Sequence, residues 1–184
     1  KAFSIKDNLN IGLCAPTGKA SRRLEEALKK SLSHLSSKYR KKLSTIPCLT
    51  IHSWLQANEK GFIKNKSKPL ELDLLVVDEM SMVDFSLMQG LLNALNHESQ
   101  LILVGDNNQL PPIGIGPIWH ELQKETQHKK FNHCSINLRQ IYRSKGELAS
   151  LSQIARSKEL NEFIKETSKL SSSERVSIIY SHKE

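Results

Sequence analysis

The sequence lacks any run of about 18 apolar residues and any charged-then-apolar leader, so it predicts neither a membrane span nor a secretion signal. Its three cysteines are widely spaced and include no C-x-x-C pair, which favours free thiols in a reducing cytoplasm. The HELQK stretch has Lys124 where a zinc-binding H-E-x-x-H motif needs its second histidine, which excludes that motif. The first methionine is Met80, so we expect the chain to be a piece of a longer protein.

Acidic residues are in the minority. The chain has 19 Asp and Glu against 27 Lys and Arg, which gives a formal net charge of +8. A basic excess favours a polyanionic partner such as nucleic acid, although basic tails and solvated faces produce the same excess. Charge alone therefore leaves both interpretations open.

A complete phosphate-binding loop is missing from the stretch that most resembles one, GLCAPTGKAS at residues 12–21. Such a loop requires G-x-x-x-x-G-K-[ST]. Counting back five places from Gly18 gives Leu13, since Gly12 comes one place too early, and Ala20 occupies the hydroxyl position. We therefore do not expect this stretch to hold a nucleotide.

What remains there is a strand end at Pro16 and Thr17, followed by the start of a helix that Thr17 is placed to cap, with Lys19 nearby. The free amides at a helix start bind single phosphates, including those of a nucleic-acid backbone. A plain strand-to-helix turn is the alternative.

Three four-residue apolar runs without alternation, residues 11–14, 74–77 and 101–104, predict strands that are buried on both faces, as in a parallel sheet. Helical patterns follow the first two runs, over residues 18–43 and 84–95, with apolar residues at three- and four-residue steps. This succession of strands and helices predicts a layered α/β domain.

Carboxylates follow two of these runs, since Asp78 and Glu79 come after one strand and Asp106 after another. In open α/β sheets, ligands bind at the carboxyl ends of the strands. An acidic pair there suits Mg²⁺, with one carboxylate holding the metal and its neighbour orienting or deprotonating a water. Helix-capping acids are the alternative for one strand, but acids after two apolar strands favour a site. Gln109 lies close by and can orient a water or sense a terminal phosphate, because its amide both donates and accepts.

Other segments have patterns of their own. Residues 57–69, ANEKGFIKNKSKP, are polar and basic around Gly61 and predict a hairpin or a loop. Residues 109–117, QLPPIGIGP, cannot be regular structure, because proline removes amide donors and glycine loosens the chain. Residues 146–184 contain a helical stretch and a possible strand at 176–180.

Taken together, the motifs resemble those of superfamily 1 helicases, in the order LCAPTGKASRRL, LTIHSWL, LLVVDEMSMVD, LILVGDNNQLPPIGIG and INLRQIYRS. Within that superfamily the chain resembles the RecD type, the alpha chain of exodeoxyribonuclease V, over residues 10–157. The resemblance implies an incomplete RecA-like P-loop NTPase fold, a layered parallel sheet flanked by helices, whose Walker A loop lies upstream. It also implies a first motor domain over residues 1–140, and the connection to and start of the second motor domain over residues 141–184. Near residues 57–70 it implies a small basic hairpin of the kind that helps to split the duplex, whose lysines suit phosphate contact, although a solvated loop would look the same.

The resemblance implies roles in ATP hydrolysis. Asp78 would hold Mg²⁺, Glu79 would position the hydrolytic water, and Gln109 would sense the γ-phosphate. Arg143 would reach the γ-phosphate from the far side of the cleft, with Arg139 as the alternative in a shifted register. Without the Walker A loop, we expect this piece by itself to bind ATP weakly or not at all, and to be inactive in ATP hydrolysis.

For nucleic acid, the resemblance implies contacts to single-stranded DNA from Pro16, Thr17 and, less directly, Lys19, and from a second motif at Thr50 and His52. It implies a DNA helicase that moves 5′ to 3′ from a duplex end. It further implies nuclease and helicase partner chains in double-strand break repair and recombination. A related motor on RNA or in conjugative transfer, and a non-enzymatic nucleic-acid-binding module, are the alternatives.

Overall fold

The computed structural model describes residues 9–131, 134–138, 154–155 and 160–170. The chain divides into two compact units, residues 1–132 and 133–184. Most of the predicted C-terminal helical stretch, and the whole predicted strand at 176–180, lie outside the described residues. The domain boundary expected after residue 140 stays a prediction.

The first unit is built on a parallel four-stranded sheet. Its strands are β1 (Ile11–Ala15), β2 (Cys48–Thr50), β5 (Leu74–Val77) and β6 (Gln100–Leu103), in the order β2-β1-β5-β6. A separate hairpin pairs β3 (Ala57–Asn58) with β4 (Gly61–Phe62). The helices of this unit are α1 (Gly18–Leu32), α2 (Ser37–Leu43), α3 (Ile51–Trp54), α4 (Phe85–Ala94), α5 (Ile118–Leu122) and α6 (Glu125–Phe131). The three predicted strands are thus present, each within one residue of its predicted ends.

The second unit contains α7 (Leu160–Leu170). Thr167 Oγ1 of this helix donates to the carbonyl of Ile164 at 2.9 Å.

The single helix predicted over residues 18–43 is wrong, since the structure has two helices, α1 and α2, there. Thr17 caps the first as predicted, because its Oγ1 accepts from the amide of Ala20 at 3.2 Å. The break is held by Arg40, whose guanidinium donates to the carbonyls of Leu32, Ser33 and Leu35 at 3.1–3.2 Å. These bonds satisfy carbonyls that a continuous helix would have paired internally.

The core lies between the central strands and α3 and α4. Its fully buried side chains include Ile51, Leu55, Leu75, Met80 and Leu91. β6 is an exception to the prediction of strands buried on both faces. Its residues alternate between exposed and half-buried, with Ile102 44% exposed. Alternate side chains point to opposite faces of a strand, so one face of this edge strand is left uncovered by the described residues.

Cys14 of β1 predicts a pH dependence of stability. Its side chain is fully buried, and burial raises the pKa of the thiol to about 12. Below pH 9 the thiol is neutral in both states, whereas above pH 9 it ionises first in the unfolded chain. We expect the free energy of unfolding to fall with rising pH by up to about 1.4 kcal/mol per unit between pH 9 and 12.

Urea denaturation at pH 7.5, 9 and 10 measures this effect. A Cys14→Ala variant is the control, since it retains every other group that titrates in this range. Equal pH slopes in the two proteins would show that Cys14 does not contribute.

Candidate nucleotide and nucleic-acid site

The carboxyl ends of the parallel strands bring most of the predicted site residues to one edge of the sheet. Thr50 ends β2, Pro16 and Thr17 follow β1, Asp78 and Glu79 follow β5, and Gln109 lies in the loop after β6. Neighbouring strands are about 4.8 Å apart, so these residues form a row along the four strand ends that spans about 14 Å. Residues proposed for the nucleic acid occupy the β2-β1 end, and those proposed for the nucleotide occupy the β5-β6 end.

Glu79 has an unusual backbone at the turn after β5. Its φ of 57° and ψ of 42° lie in the left-handed region, which costs a non-glycine residue about 1–2 kcal/mol. The turn is held on both sides, because the amide of Asp78 donates to Cys14 at 2.9 Å and that of Met80 donates to Val104 at 3.0 Å. Strained residues concentrate at functional sites, and here the strain falls on the predicted hydrolytic residue.

The Asp78 carboxylate is partly engaged. Its Oδ1 accepts from the amide of Glu79 at 2.9 Å. That hydrogen bond orients the carboxylate and leaves Oδ2 for another ligand. The described residues contain no cluster of three or more His, Cys, Asp or Glu side chains that could hold a metal by themselves. One carboxylate with water and phosphate oxygens is nevertheless a donor set that Mg²⁺ accepts, so the residues fit this ion.

Gln109 is held in its loop by two neighbours. Asp106 forms the turn, since its Oδ1 accepts from the amide of Asn108 at 3.0 Å and its carbonyl accepts from that of Gln109 at 3.3 Å. Ser81, which is buried, donates from Oγ to Oε1 of Gln109 at 3.2 Å. The amide nitrogen of Gln109 is then the part of the side chain left for a ligand. Ser81 was not among the predicted site residues, and its only signal in the sequence is a polar residue between two methionines.

At the other end of the row, Thr50 has the same structural role as Thr17. Its Oγ1 caps α3 by accepting from the amide of Ser53 at 3.1 Å, and it also pairs with the Ser53 hydroxyl at 2.7 Å. The two threonines thus fix the starts of α1 and α3 at the sheet edge. Contact of either hydroxyl with DNA stays a prediction.

A groove of about 620 Å³ lies at the start of α1, lined by Gly18, Lys19, Arg22, Arg23 and Glu26. Lys19, Arg22 and Arg23 are all exposed and share one face, because residues three and four apart are neighbours on a helix. Lys19 was expected here, whereas the two arginines were missed. Their i+3 and i+4 spacing from Lys19 was the available signal.

His52 is exposed on α3, and its ring meets that of Phe62 on β4 edge-on, with centroids 6.4 Å apart and planes at 64°. The predicted strand-contacting motif is therefore joined to the hairpin by an aromatic contact.

Comparison with known proteins identifies the family. Residues 2–115 match the family described as AAA domain, which is more than half of the chain. The chain belongs to this AAA domain family. Membership implies use of a nucleotide, which agrees with the ATP expected above.

Two curated relatives extend the comparison. The chain is 42% identical over 121 residues to the "RecBCD enzyme subunit RecD" of Haemophilus influenzae. It is 41% identical over 108 residues to the "ATP-dependent RecD2 DNA helicase" of Deinococcus radiodurans. The matches cover 62% and 59% of this chain but only 19% and 13% of those proteins, so the chain spans at most about a fifth of their length. The resemblance to RecD-type helicases is confirmed.

Among solved structures, one titled "Structural Basis for DNA Unwinding at Forked dsDNA by two coordinating Pif1 helicases" matches with a TM-score of 0.50 and 18% identity. The match covers 90% of this chain and 42% of that one. At this identity the likeness concerns the fold alone. The RecA-like parallel sheet flanked by helices is thereby confirmed for the AAA domain.

Other predictions concern residues outside this row. Arg143 and its alternative Arg139 lie outside the described residues, so their roles stay predictions. All three cysteines are free, as expected. In the part of the chain that the structure describes, no helix combines the length and apolar character needed to cross a bilayer.

Proposed function

We propose that this AAA domain belongs to the first motor domain of a RecD-type, ATP-dependent DNA helicase. The observation that carries the proposal is the single sheet edge. Asp78 and Glu79 follow β5 at this edge, and Gln109 lies in the loop after β6. Thr17 lies just beyond β1, and Thr50 is the last residue of β2. A motor that couples hydrolysis to movement along a strand needs both sets of groups on one rigid element.

In the proposed reaction, ATP with Mg²⁺ supplies a terminal phosphoryl group for transfer to water. Asp78 would hold the metal through Oδ2, the oxygen not engaged by Glu79. Glu79 would orient a water and accept its proton. Gln109 would donate from its amide nitrogen to a phosphate oxygen, since Ser81 already donates to its carbonyl oxygen. Arg143 is proposed to stabilise the charge that develops during transfer.

Coupling between the two halves of the row has a short path. The amide of Asp78 donates to the carbonyl of Cys14, and Pro16 and Thr17 follow two and three residues later. We propose that this hydrogen bond and the end of β1 couple the Asp78–Glu79 turn to the strand-contacting turn at Pro16 and Thr17.

The proposed partners follow from the relatives. We infer that the full-length protein acts on single-stranded DNA at a duplex end, and that it works beside nuclease and helicase chains of an exodeoxyribonuclease V complex in the cytoplasm. Its biological role would be in double-strand break repair and recombination. The printed name of the Haemophilus relative, a RecBCD subunit, supports the complex. The printed name of the Deinococcus relative is that of a helicase and mentions no complex. Unwinding by the isolated full-length protein is therefore a suitable test of the proposed function.

The test uses the purified full-length protein with duplexes that carry a 5′ tail, a 3′ tail or no tail. We expect ATP-dependent unwinding of the 5′-tailed duplex, at least tenfold faster than of the other two, and stimulation of ATP hydrolysis by single-stranded DNA. Equal or stronger stimulation by RNA of the same sequence would favour a motor that acts on RNA. Absence of hydrolysis with either polymer would overturn the proposed function.

A further inference from the structure

Residues 56–70 form a basic arm between α3 and the strand β5. The arm contains the β3–β4 hairpin and carries four lysines against one glutamate. Three of its lysines are exposed, Lys60, Lys66 and Lys68. Lys64 is half-buried, and its Nζ donates to the carbonyl of Pro69 at 3.2 Å, so this charge is already engaged within the arm.

The base of the arm is fastened to the helices on both sides. At its start, the amide of Lys64 donates to the carbonyl of Leu55 at 3.1 Å. At its end, the amide of Leu70 donates to the carbonyl of Ala94 in α4 at 2.7 Å. Asn96 then donates from its side chain to the carbonyl of Leu70 at 3.2 Å.

The hairpin itself needs a further anchor. Each of its strands has two residues, and an isolated two-stranded hairpin is marginal in water at best. The anchor is the ring of Phe62, which lies over Gly90 of α4. A Cβ at position 90 would lie 2.5 and 2.6 Å from two carbons of this ring and 3.3 Å from Leu55. The ring of Phe62 can therefore pack this close to α4 only because residue 90 is a glycine and has no side chain.

The same ring meets His52. Phe62 thus packs against α4 through Gly90 and meets α3 edge-on through His52, at a centroid distance of 6.4 Å. α3 follows Thr50, which ends β2 at the edge proposed to bind the strand. The hydrogen bonds at its base hold the ends of the arm, and Phe62 is the side chain that connects its hairpin to both α3 and α4.

We propose that Phe62 is a positioning residue. Seated over Gly90 and against His52, it holds the basic arm so that Lys60, Lys66 and Lys68 meet the phosphates of the duplex beside the bound single strand. Charges held in place bind a rigid, regularly spaced polyanion better than charges on a mobile segment, because less freedom is lost on binding. The proposal rests on the proposed function for its duplex substrate, but its first test needs no hydrolysis.

The first test compares binding of a forked duplex and of its single-stranded tail to the full-length protein, by fluorescence anisotropy without nucleotide. For Phe62→Ala and for Gly90→Ala we expect the preference for the fork to fall about five- to tenfold, while affinity for the single strand changes less than twofold. Ile63→Ala is the matched control, since it removes an apolar side chain from the next position, where 38% of the residue is exposed. Phe62→Tyr keeps the ring and is expected to restore the preference.

A spectroscopic readout separates positioning from general loss of structure. With histidine labelled at Cε1, the His52 resonance, assigned by a His52→Gln variant, should shift in Phe62→Ala and stay in place in Ile63→Ala. A shifted resonance with an unchanged fork preference would overturn the proposal. So would equal losses of fork and single-strand affinity, since these would indicate a purely structural role.

Unwinding provides the second test. Phe62→Ala is expected to unwind the 5′-tailed duplex at least tenfold more slowly than the wild type, with DNA-stimulated ATP hydrolysis within twofold of it. If the wild type binds forks preferentially but does not unwind them, the proposed function fails, while the binding comparison still decides the role of Phe62.

Discussion

Replacing Glu79 with glutamine is expected to lower DNA-stimulated ATP hydrolysis by the full-length protein at least 100-fold, with ATP affinity changed less than threefold. Glutamine retains the size of the side chain and can still hold a water. It cannot accept the proton, and proton transfer by a positioned group contributes about 10²–10⁴-fold to rate. Steady-state hydrolysis and titration with a fluorescent ATP analogue measure the two quantities.

Glu98→Gln is the matched control, because Glu98 is an exposed carboxylate near the amino end of β6, at the opposite edge of the sheet. It should leave hydrolysis unchanged. If hydrolysis survives in Glu79→Gln, then Glu79 is not the base.

Replacing Glu79 with glycine distinguishes the role of its carboxylate from the energetic cost of its left-handed backbone. The left-handed φ of 57° at Glu79 costs about 1–2 kcal/mol, and glycine removes that cost while losing about 0.5–1 kcal/mol through a freer unfolded chain. Glu79→Gly should therefore abolish hydrolysis with an unchanged or slightly higher Tm. A clear drop in Tm would show that the side chain of Glu79 itself supports the fold.

Removing the basic face at the start of α1 is expected to have the second large effect. The triple variant Lys19→Gln, Arg22→Gln and Arg23→Gln deletes the three cations that line the groove there. If each contacts one phosphate, the slope of log affinity against log salt for single-stranded DNA should fall by about 2, and affinity near 0.1 M salt by roughly 100-fold. Filter binding or anisotropy from about 50 to 300 mM salt measures both.

The control removes the same charge elsewhere. The variant Lys29→Gln, Lys30→Gln and Lys41→Gln changes two lysines at the far end of α1 and one on α2. Lys29 and Lys30 lie about 16 Å along α1 from Lys19. We expect little change in salt slope for this variant. Equal losses in the two triple variants would mean that net charge, rather than the groove, attracts the DNA.

These experiments examine the two ends of one row of residues, and their readouts differ. Glu79→Gln should bind DNA normally, and the triple variant should hydrolyse ATP normally once DNA is saturating. Coupling between them is proposed to pass through the hydrogen bond from Asp78 to Cys14.

The sequence by itself determined three of the four strands and the carboxyl edge where they end, but not β2. A run such as LLVV at residues 74–77 is apolar on both faces, so it has no stable place except inside a layered sheet. The acids that follow it must then emerge where the strand ends. Local chemistry was equally decisive for Thr17, because a hydroxyl at the start of a helix accepts from an amide three residues ahead regardless of distant contacts.

Only the tertiary structure decided the features that depend on partners distant in the chain. The apolar steps of residues 18–43 fit one helix, but the break depends on Arg40 folding back onto the carbonyls of Leu32 and Leu35. Ser81 and Gln109 are 28 residues apart and meet only because β5 and β6 are neighbours. Phe62 and Gly90 meet only because the arm folds against α4. Periodicity reports which face of an element is buried, whereas the identity of the side chain that it meets is set by packing between elements.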